Sequence, residues 1–390
     1  MRIALFTDTF LPQINGVTNT LSRMLQWFED QDMPCLVFAP QYGLTDPVRQ
    51  DVERFPSIRF VPYPECRLAL VSAARIDASL KAFRPDLVFN MTEFSLGQAG
   101  VAAASRRGLP AVSNYSTHFP QYLSYYRADW LQPTAWKYMR QFHLRHQLTL
   151  CPSHDTQNRL RQQGIPNTGI FSRGIDMNRF HPAKRSQTWR DINGIGTGLA
   201  VLYAGRLSAE KDLDILLEAW RPVQALYGNK VRLLLAGDGP MAAQYKRDFP
   251  ANTVFLGYLK GEALSVAYAS CDLFAFPSTT ETFGNVVLEA MASGLPILAA
   301  AAGGVKDIIR HGHDGLTFPA RDAGHMEDKL IELIASPALR RHYAVNGLAS
   351  AAARTWDSEF QNLSTHFQQV LDAWTHENTV SDRPVEVSSF

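Results

Sequence analysis

Four charged residues in the second half of the chain could together bind a ligand that carries phosphates and hydroxyl groups. Arg206 and Lys211 share one short segment, and Glu281 and Glu289 share another. Arginine offers a planar fork of donors and lysine a compact charge, so the pair suits two neighbouring phosphates. Carboxylates accept hydrogen bonds from hydroxyl groups. Each residue alone is more simply a surface charge or a helix cap, but their joint occurrence on predicted loops indicates a site.

The elements that would position these residues follow an alternating pattern. Short apolar runs alternate with helical segments in both halves, which is typical of an α/β fold with parallel sheets buried on both faces. The predicted strands include residues 2–7, 87–91, 111–115, 200–204, 231–236 and 273–276. The predicted helices include residues 17–29, 73–83, 153–163, 213–226 and 283–292, with Ser153 as the N-cap of the third.

The chain is long enough for two domains, because 390 residues exceed the usual size of one hydrophobic core. We expect a first domain at residues 1–180 and a second at 181–355. The polar stretch 176–198, which contains Pro182 and several glycines, is predicted to connect the two domains. A last helix at about 356–375 and a tail without order at 376–390 complete this prediction.

Composition excludes several classes of protein. An apolar content of 46%, a charged content of 19% and a formal net charge of +1 describe a globular protein without a global field for nucleic acid. The chain shows no secretory signal and no apolar run that could span a bilayer, so we expect a cytoplasmic protein. The cysteines, Cys35, Cys66, Cys151 and Cys271, lack disulfide-motif or zinc-ligand spacing and are assigned no chemistry.

The charged segments fall at the ends of predicted parallel strands. Arg206 and Lys211 follow the strand at 200–204, and Glu281 precedes the helix that starts near Phe283. Ligands of open α/β folds bind at this end of the strands. The first amides of a helix lack internal partners and lie at its positive end, and Gly284 allows close approach of the backbone. The sequence therefore predicts an anion site at this edge.

These motifs, together with Pro277, resemble the donor site of retaining glycosyltransferases of family 4, which have the GT-B fold. The resemblance covers nearly the whole chain and is most specific between residues 205 and 289. It implies two Rossmann-like domains whose parallel sheets face each other across a cleft, with the last helix, at about 356–375, returning to pack on the first domain. It also implies transfer of a hexose from a nucleotide-diphosphate sugar, GDP-mannose or a UDP-hexose, with retention of the anomeric configuration. We expect no cofactor and no metal, since the two cations can stabilise the departing diphosphate.

The resemblance also assigns roles to individual residues. It gives the phosphates to Arg206 and Lys211, the transferred sugar to Glu281 and the ribose to Glu289. An equivalent histidine of the family approaches the donor sugar, so His118 is expected to contact a sugar hydroxyl and joins Arg206, Lys211 and Glu281 in the catalytic set. The other donor-binding candidates are Gly16, Arg173, Gly205, Tyr258, Phe283, Gly284 and Asn285. A ligand-free turn explains Gly16 equally well, and a structural turn explains Arg173.

Strand ends of the first half supply the candidates for the acceptor side. They are Asp8, Glu93 and Tyr115, although solvent exposure would explain Glu93 equally well. The segment 7–17 and the stretch around His118 look closest to family branches that glycosylate lipids, including mannosyl, glucosyl and sulfoquinovosyl transferases. We therefore expect a lipid or glycan acceptor and a peripheral position on the inner face of the cell membrane.

Residues 130–148 are the candidate membrane contact. This segment interleaves apolar with basic side chains, as an interfacial amphipathic helix does. The apolar residues are Trp136, Met139 and Phe142, and the basic residues are Lys137, Arg140 and Arg145. A helix that packs on the core with a solvated basic edge is the ordinary alternative.

Other classes of function are less well supported. Residues 194–198 and 237–240 both miss the GxGxxG pattern of dinucleotide enzymes, and the chain has no GxxxxGK[ST] phosphate loop. Two alternatives stay open on the same architecture. One is a sugar-nucleotide epimerase or hydrolase, and the other is a catalytically silent protein that binds sugar nucleotides, against which the complete charged set argues.

Overall fold

Two parallel sheets, one in each half of the chain, form the centre of the protein. The computed structural model describes residues 1–13, 16–43, 51–60, 66–120, 123 and 128–381. Within these residues the first sheet consists, from edge to edge, of Val52–Phe55 (β3), Cys35–Pro40 (β2), Ile3–Phe6 (β1), Leu87–Asn90 (β6), Ala111–Asn114 (β7), Leu148–Cys151 (β8) and Thr168–Ile170 (β9). Ser57–Arg59 (β4) and Arg67–Ala69 (β5) form a separate antiparallel pair.

The second sheet repeats this arrangement. It consists, from edge to edge, of Val254–Gly257 (β12), Val231–Ala236 (β11), Leu199–Ala204 (β10), Leu273–Phe276 (β13), Ile297–Ala300 (β14) and Leu316–Phe318 (β15). The pairings within both sheets are parallel. The strand order reverses at β1 and β6 in the first sheet and at β10 and β13 in the second, and such switch points open the crevice in which ligands bind. The α/β fold with two parallel sheets expected from the sequence is confirmed.

Helices connect the strands and cover the sheets. In the first half they are Gly16–Asp30 (α1), Ala73–Phe83 (α2), Ser95–Arg107 (α3), Gln132–His143 (α4) and His154–Gln162 (α5). In the second half they are Gln187–Ile192 (α6), Leu213–Tyr227 (α7), Ala242–Asp248 (α8), Gly261–Ser270 (α9), Asn285–Ala292 (α10), Ala323–Ala335 (α11) and Pro337–Ala352 (α12), and Trp356–Ser381 (α13) ends the described chain.

Local sequence signals explain where several helices begin. Ser153 is the N-cap of α5, as expected, and its hydroxyl accepts a hydrogen bond from the Thr156 amide at 3.2 Å. Helix α10 starts at Asn285 rather than at Phe283, because Gly284 has a positive φ of 107° that a helix cannot contain. The structure thus places Gly284 at the entrance to the helix.

The last helix crosses back to the first half of the chain. Phe360, Leu363 and Phe367 are buried in the core cluster that contains the first strands, and the rings of Phe367 and Phe89 are 5.0 Å apart. The helix continues to Ser381, beyond the end expected at about 375, because extending an existing helix costs little. Residues 376–381 of the expected disordered tail are therefore helical, and 382–390 lie outside the described residues.

The two crossings between the halves lie side by side. Ile175 pairs with Thr355, and the Ile175 amide donates to the Arg354 carbonyl at 2.9 Å. A Cβ atom on Gly174 would lie 2.3 Å from the Trp356 nitrogen, so only glycine permits this approach. The expected connection at 176–198 contains α6, an element that the polar sequence did not reveal.

Candidate active site

A cleft of about 330 Å³ opens between the two halves, a volume within the range of small-molecule sites. Its walls come from the ends of strands and the starts of helices in both halves of the chain. The first half contributes Gly16, Val17, Ser116, Thr117 and Arg173. The second half contributes Gly205, Arg206, Glu210, Lys211, Phe276, Glu281, Thr282, Phe283, Gly284, Asn285 and Val286.

Two neighbouring loops of the second half carry the charged groups of the cleft. Residues 205–212 follow β10 and are called here the β10 loop, and residues 277–284 follow the adjacent strand β13 and are called the β13 loop. Lys211 Nζ lies 2.6 Å from Glu281 Oε1, and the Ser278 hydroxyl donates to the same oxygen at 3.2 Å. Arg206 is 47% exposed, and its guanidinium lies 3.7 Å from Glu210 Oε1. The predicted cations and the first glutamate are thus brought together.

The start of α10 forms the floor of this charged group. Phe283, Gly284 and Asn285 line the cleft, and the helix behind them spans eight residues. Its first amide groups and its positive dipole end favour an anion at this position. An arrangement of two cations and a helix start around one space can stabilise the negative charge of a diphosphate.

Glu289 lies in an adjoining pocket rather than in the cleft itself. This pocket shares Gly16 and Asn285 with the cleft, and Arg179 lines its wall. The Tyr268 hydroxyl donates to Glu289 Oε2 at 3.0 Å. Burial raises the pKa of the Glu289 carboxyl to about 7. The two glutamates therefore occupy separate but connected spaces.

His118 and Tyr115 lie behind the wall of the cleft. His118 is buried, its Nδ1 lies 3.2 Å from the Tyr115 hydroxyl, and burial lowers the pKa of its imidazole to about 3. Tyr115 has no exposed surface. The residues between them, Ser116 and Thr117, line the cleft instead, so the structure does not bring the imidazole or the phenol to its surface.

Asp8 and Glu93 are also buried beneath the first half of the cleft. Asp8 caps the start of α3, because its carboxylate accepts hydrogen bonds from the Ser95 hydroxyl at 2.6 Å and from the Leu96 amide at 2.8 Å. Glu93 is 2% exposed, and its Oε1 lies 3.7 Å from His143 Nε2. The structure therefore gives Asp8 a capping role and does not bring either carboxyl to the surface expected for the acceptor.

Of the two remaining donor candidates, one lines the cleft and the other lies outside it. Arg173 lines the cleft at the junction of the halves, donates to the Phe171 carbonyl at 3.2 Å and is mostly buried, which lowers its pKa to about 10. Tyr258 follows β12 and is 68% exposed, outside the cleft. Residues 14 and 15 of the predicted opening loop lie outside the described residues, whereas Gly16 lines the cleft.

Several lining residues had not been assigned a role from the sequence. Glu210, Ser116, Thr117 and Thr282 line the cleft, and Thr282 Oγ1 donates to the Ser116 carbonyl at 3.0 Å, which joins the halves. Glu210 directly precedes Lys211, and Ser116 and Thr117 directly precede His118. The sequence signal for these lining residues was therefore their position next to a predicted site residue. In the described part of the chain, no cluster of three or more His, Cys, Asp or Glu side chains could hold a metal ion.

The segment 130–148 turns its apolar side inward. Met139 and Phe142 are buried, Trp136 packs against Tyr115, and Lys137, Arg140 and Arg145 are exposed. Trp130 and Leu144 are the large apolar residues that this segment leaves exposed. The helix packs on the core with a solvated basic edge. No helix among the described residues has the length and apolar character needed to cross a bilayer.

Comparison with known proteins gives consistent matches over both halves. The family model "Glycosyltransferase Family 4" matches residues 14–179, and the model "Glycosyl transferases group 1" matches residues 198–336. The "GDP-mannose-dependent alpha-mannosyltransferase" of Mycobacterium tuberculosis is 34% identical over 95% of this chain and 97% of its own length. The "Alpha-monoglucosyldiacylglycerol synthase" of Streptococcus pneumoniae is 26% identical over 98% of this chain and 90% of its own length.

A solved structure agrees in fold. The structure of Anabaena HepE in complex with UDP superposes with a TM-score of 0.74 at 21% identity, over 94% of this chain and 99% of that one.

Proposed function

The chain belongs to the family 4 glycosyltransferases and is a glycosyltransferase that uses a nucleotide sugar, and we propose that it transfers a hexose from GDP-mannose to a membrane glycolipid, with retention of the anomeric configuration and without a metal. The observation that carries this proposal is the approach of Lys211 Nζ to Glu281 Oε1, 2.6 Å apart beside Arg206 and the start of α10. GDP-mannose is preferred to a UDP-hexose because the 34%-identical relative is GDP-mannose-dependent.

The charges of the cleft orient such a donor. A diphosphate lies between Arg206, Lys211 and the first amides of α10, which donate hydrogen bonds to its oxygens. The hexose then lies toward Glu281, whose carboxylate accepts hydrogen bonds from its hydroxyls. The nucleoside extends toward Glu289 in the adjoining pocket, where the carboxyl can bind the ribose. The donor thus extends from the cleft into the adjoining pocket, past Gly16 and Asn285, which line both.

The same charges favour the chemical step. The bond from the anomeric carbon to the phosphate oxygen breaks as the bond to the acceptor oxygen forms on the same face of the sugar. The diphosphate gains negative charge, which the two cations and the helix amides stabilise. The acceptor hydroxyl gives its proton to a departing phosphate oxygen. Of the described residues, Glu210 and Glu281 are the carboxylates that line the cleft, and each lies next to a cation, so neither is assigned as a nucleophile.

A lipid acceptor agrees with two observations. The 26%-identical relative is named as a synthase of a glucosyl diacylglycerol. Helix α4 packs against Tyr115 in the first half of the chain, which is the proposed acceptor side. It exposes a basic edge that can attract an anionic lipid surface. We therefore place the enzyme peripherally on a membrane, with the first half toward the lipid.

Transfer of radiolabelled mannose into lipid tests this function. The purified protein is incubated with GDP-mannose and bacterial lipid membranes, with and without EDTA, and the organic phase is treated with α-mannosidase. We expect a labelled, mannosidase-sensitive lipid and no effect of EDTA. Lys211→Ala should lower the rate by about a hundredfold or more, because a preorganised charge on the leaving group is lost.

Lys329→Ala is the matched control. It removes a lysine whose Nζ lies 2.7 Å from Glu332 on the surface of the same half of the chain, and it should leave the rate within about twofold of wild type. Label released only as free mannose would indicate a hydrolase, and equal activity of Lys211→Ala and wild type would refute the proposed site.

A further inference from the structure

Asp212 ends the β10 loop in a backbone conformation that most residues with a side chain avoid. Its φ is 50° and its ψ is 35°, in the left-handed region. Aspartate adopts this conformation at some energetic cost, and the conformation persists only where surrounding contacts hold the residue in place. The side chain is only 10% exposed, so its contacts are those of a partly buried charge.

The Asp212 carboxylate joins three loops at one edge of the second sheet. Its Oδ2 accepts hydrogen bonds from the Thr279 amide at 3.0 Å and from the Thr279 hydroxyl at 2.6 Å. Its Oδ1 lies 3.5 Å from Nε of Arg321, which follows β15. Hydrogen bonds to an ionised acceptor are stronger than those between neutral groups. The side chain therefore fastens the β13 loop and the loop after β15 to the β10 loop.

Neighbouring residues extend this connection to the reacting groups. The Thr280 hydroxyl donates to the Glu210 carbonyl at 2.9 Å, and Lys211 Nζ meets Glu281 at 2.6 Å. Three consecutive residues of the β13 loop thus contact three consecutive residues of the β10 loop. Of these three contacts, the contact of Asp212 with Thr279 is the one in which neither residue lines the cleft.

The β10 loop has separate anchors on its other side. The Leu207 amide donates to the Asp238 carbonyl at 3.0 Å, the Met241 amide donates to the Leu207 carbonyl at 2.9 Å, and the Tyr203 hydroxyl donates to the Arg206 carbonyl at 3.0 Å. These bonds do not involve Asp212. The position of Arg206 therefore has supports that do not depend on the Asp212 side chain.

We propose that Asp212 is a positioning residue that holds the sugar-binding carboxylate of Glu281 at a fixed place relative to the cations that bind the diphosphate. The inference rests on the proposed function, because it assigns the sugar to Glu281 and the diphosphate to Arg206 and Lys211. Without the Asp212 carboxylate the β13 loop loses an anchor two residues from Glu281, while the Arg206 side of the diphosphate site keeps its own anchors. The sugar then contributes less to donor affinity.

The ratio of two affinities measures this contribution. Isothermal titration calorimetry gives the Kd of GDP, which lacks the sugar, and of GDP-mannose, and the same comparison is made with UDP and UDP-glucose. Glycine adopts a φ of 50° without strain, so Asp212→Gly removes the carboxylate and keeps the backbone. We expect its Kd for the nucleotide sugar to rise about tenfold, the scale of one lost hydrogen bond to a charged group, and its Kd for the diphosphate to stay within about twofold.

Two further variants separate positioning from folding. Asp212→Asn keeps an oxygen acceptor and tolerates the left-handed backbone, so it should restore part of the lost affinity. Arg84→Gly relieves the same φ of 50° in the first half, far along the chain from the cleft residues, and should leave both Kd values unchanged. A general loss of stability would weaken both nucleotides equally and would leave their ratio unchanged.

The outcomes distinguish this inference from the function on which it rests. If wild type binds neither a nucleoside diphosphate nor a nucleotide sugar, the proposed function is wrong and the inference falls with it. If wild type binds both and Asp212→Gly keeps the wild-type ratio of the two Kd values, the function stands and the role of Asp212 is refuted.

Discussion

At the scale of single residues, Glu93 holds a carboxyl group where a charge is costly. Burial, with a smaller contribution from nearby Asp8, raises its pKa to about 8. The facing imidazole of His143, whose Nε2 lies 3.7 Å from Glu93 Oε1, has a pKa well below its usual value because it is also buried. At neutral pH the two side chains therefore form a contact between a carboxylic acid and a neutral imidazole rather than an ion pair.

We expect Glu93→Gln to flatten the pH dependence of stability. The folded-state pKa of about 8 lies above the unfolded value of 4.5, so the folded state binds more protons between these values, and stability falls as the pH rises through this window. Glutamine cannot ionise and avoids this loss. The gain of the variant over wild type should grow by at most about 1.4 kcal/mol per pH unit, measured by urea unfolding from pH 5 to pH 9. If the free energy of unfolding changed equally with pH in the two proteins, the raised pKa would be contradicted.

The charged residues of the cleft could be predicted because they follow strands that the sequence reveals. Arg206, Lys211 and Glu281 lie directly after apolar runs, and adjacent parallel strands bring them together. The role of Asp8 could not be predicted in this way. Its partners Ser95 and Leu96 are more than eighty positions away, and they meet it only when β1 and β6 pair.

At the scale of elements, helix α4 shows what a mixed pattern leaves undecided. Interleaved apolar and basic residues fit both a membrane-surface helix and a core helix with a charged edge. Burial of Met139 and Phe142 settles the packing, because these side chains meet the core rather than solvent. Which side of a helix is covered depends on its neighbours in the fold, and a single segment does not contain that information.

The basic edge of the segment 130–148 should contribute to lipid binding through charge. We expect replacement of Lys137, Arg140 and Arg145 by glutamine to weaken sedimentation with anionic phosphatidylglycerol vesicles, at about 1 kcal/mol for each charge close to the surface. The matched control replaces three exposed basic residues of the second half, Arg221, Lys246 and Arg247. Equal binding by both triple variants, or binding that does not fall with added salt, would refute a role for this edge.

At the scale of the whole molecule, the two halves were predictable from the repeated alternation of strands and helices, whereas the return of the last helix could be expected only from the resemblance to the family. The position of α13 depends on Phe360 and Phe367 finding a surface in the first half, where Trp27 and Phe89 meet them. The segment carries an amphipathic pattern, but no residue in it specifies which domain it covers.

We expect the last helix to be part of the stability of the first half. Phe367→Ala removes a ring that is fully buried against Phe89 and should lower the free energy of unfolding by about 3–5 kcal/mol, since it leaves a cavity in the core. Gln368→Ala changes an exposed neighbour on the same helix and should change stability by less than about 0.5 kcal/mol. Guanidinium unfolding measures both, and similar midpoints for the two variants would show that α13 is not docked as described.

The pairing of Ile175 with Thr355 gives the protein the topology of a domain insertion. The chain leaves the first half and re-enters it at neighbouring positions, so the segment between them starts and ends at one place. An inserted domain of this kind requires only two adjacent attachment points in the domain that receives it. The portion that carries Arg206, Lys211 and Glu281 can thus be exchanged between relatives as a unit, and under the proposed function such an exchange would change the nucleotide sugar and leave the first half intact.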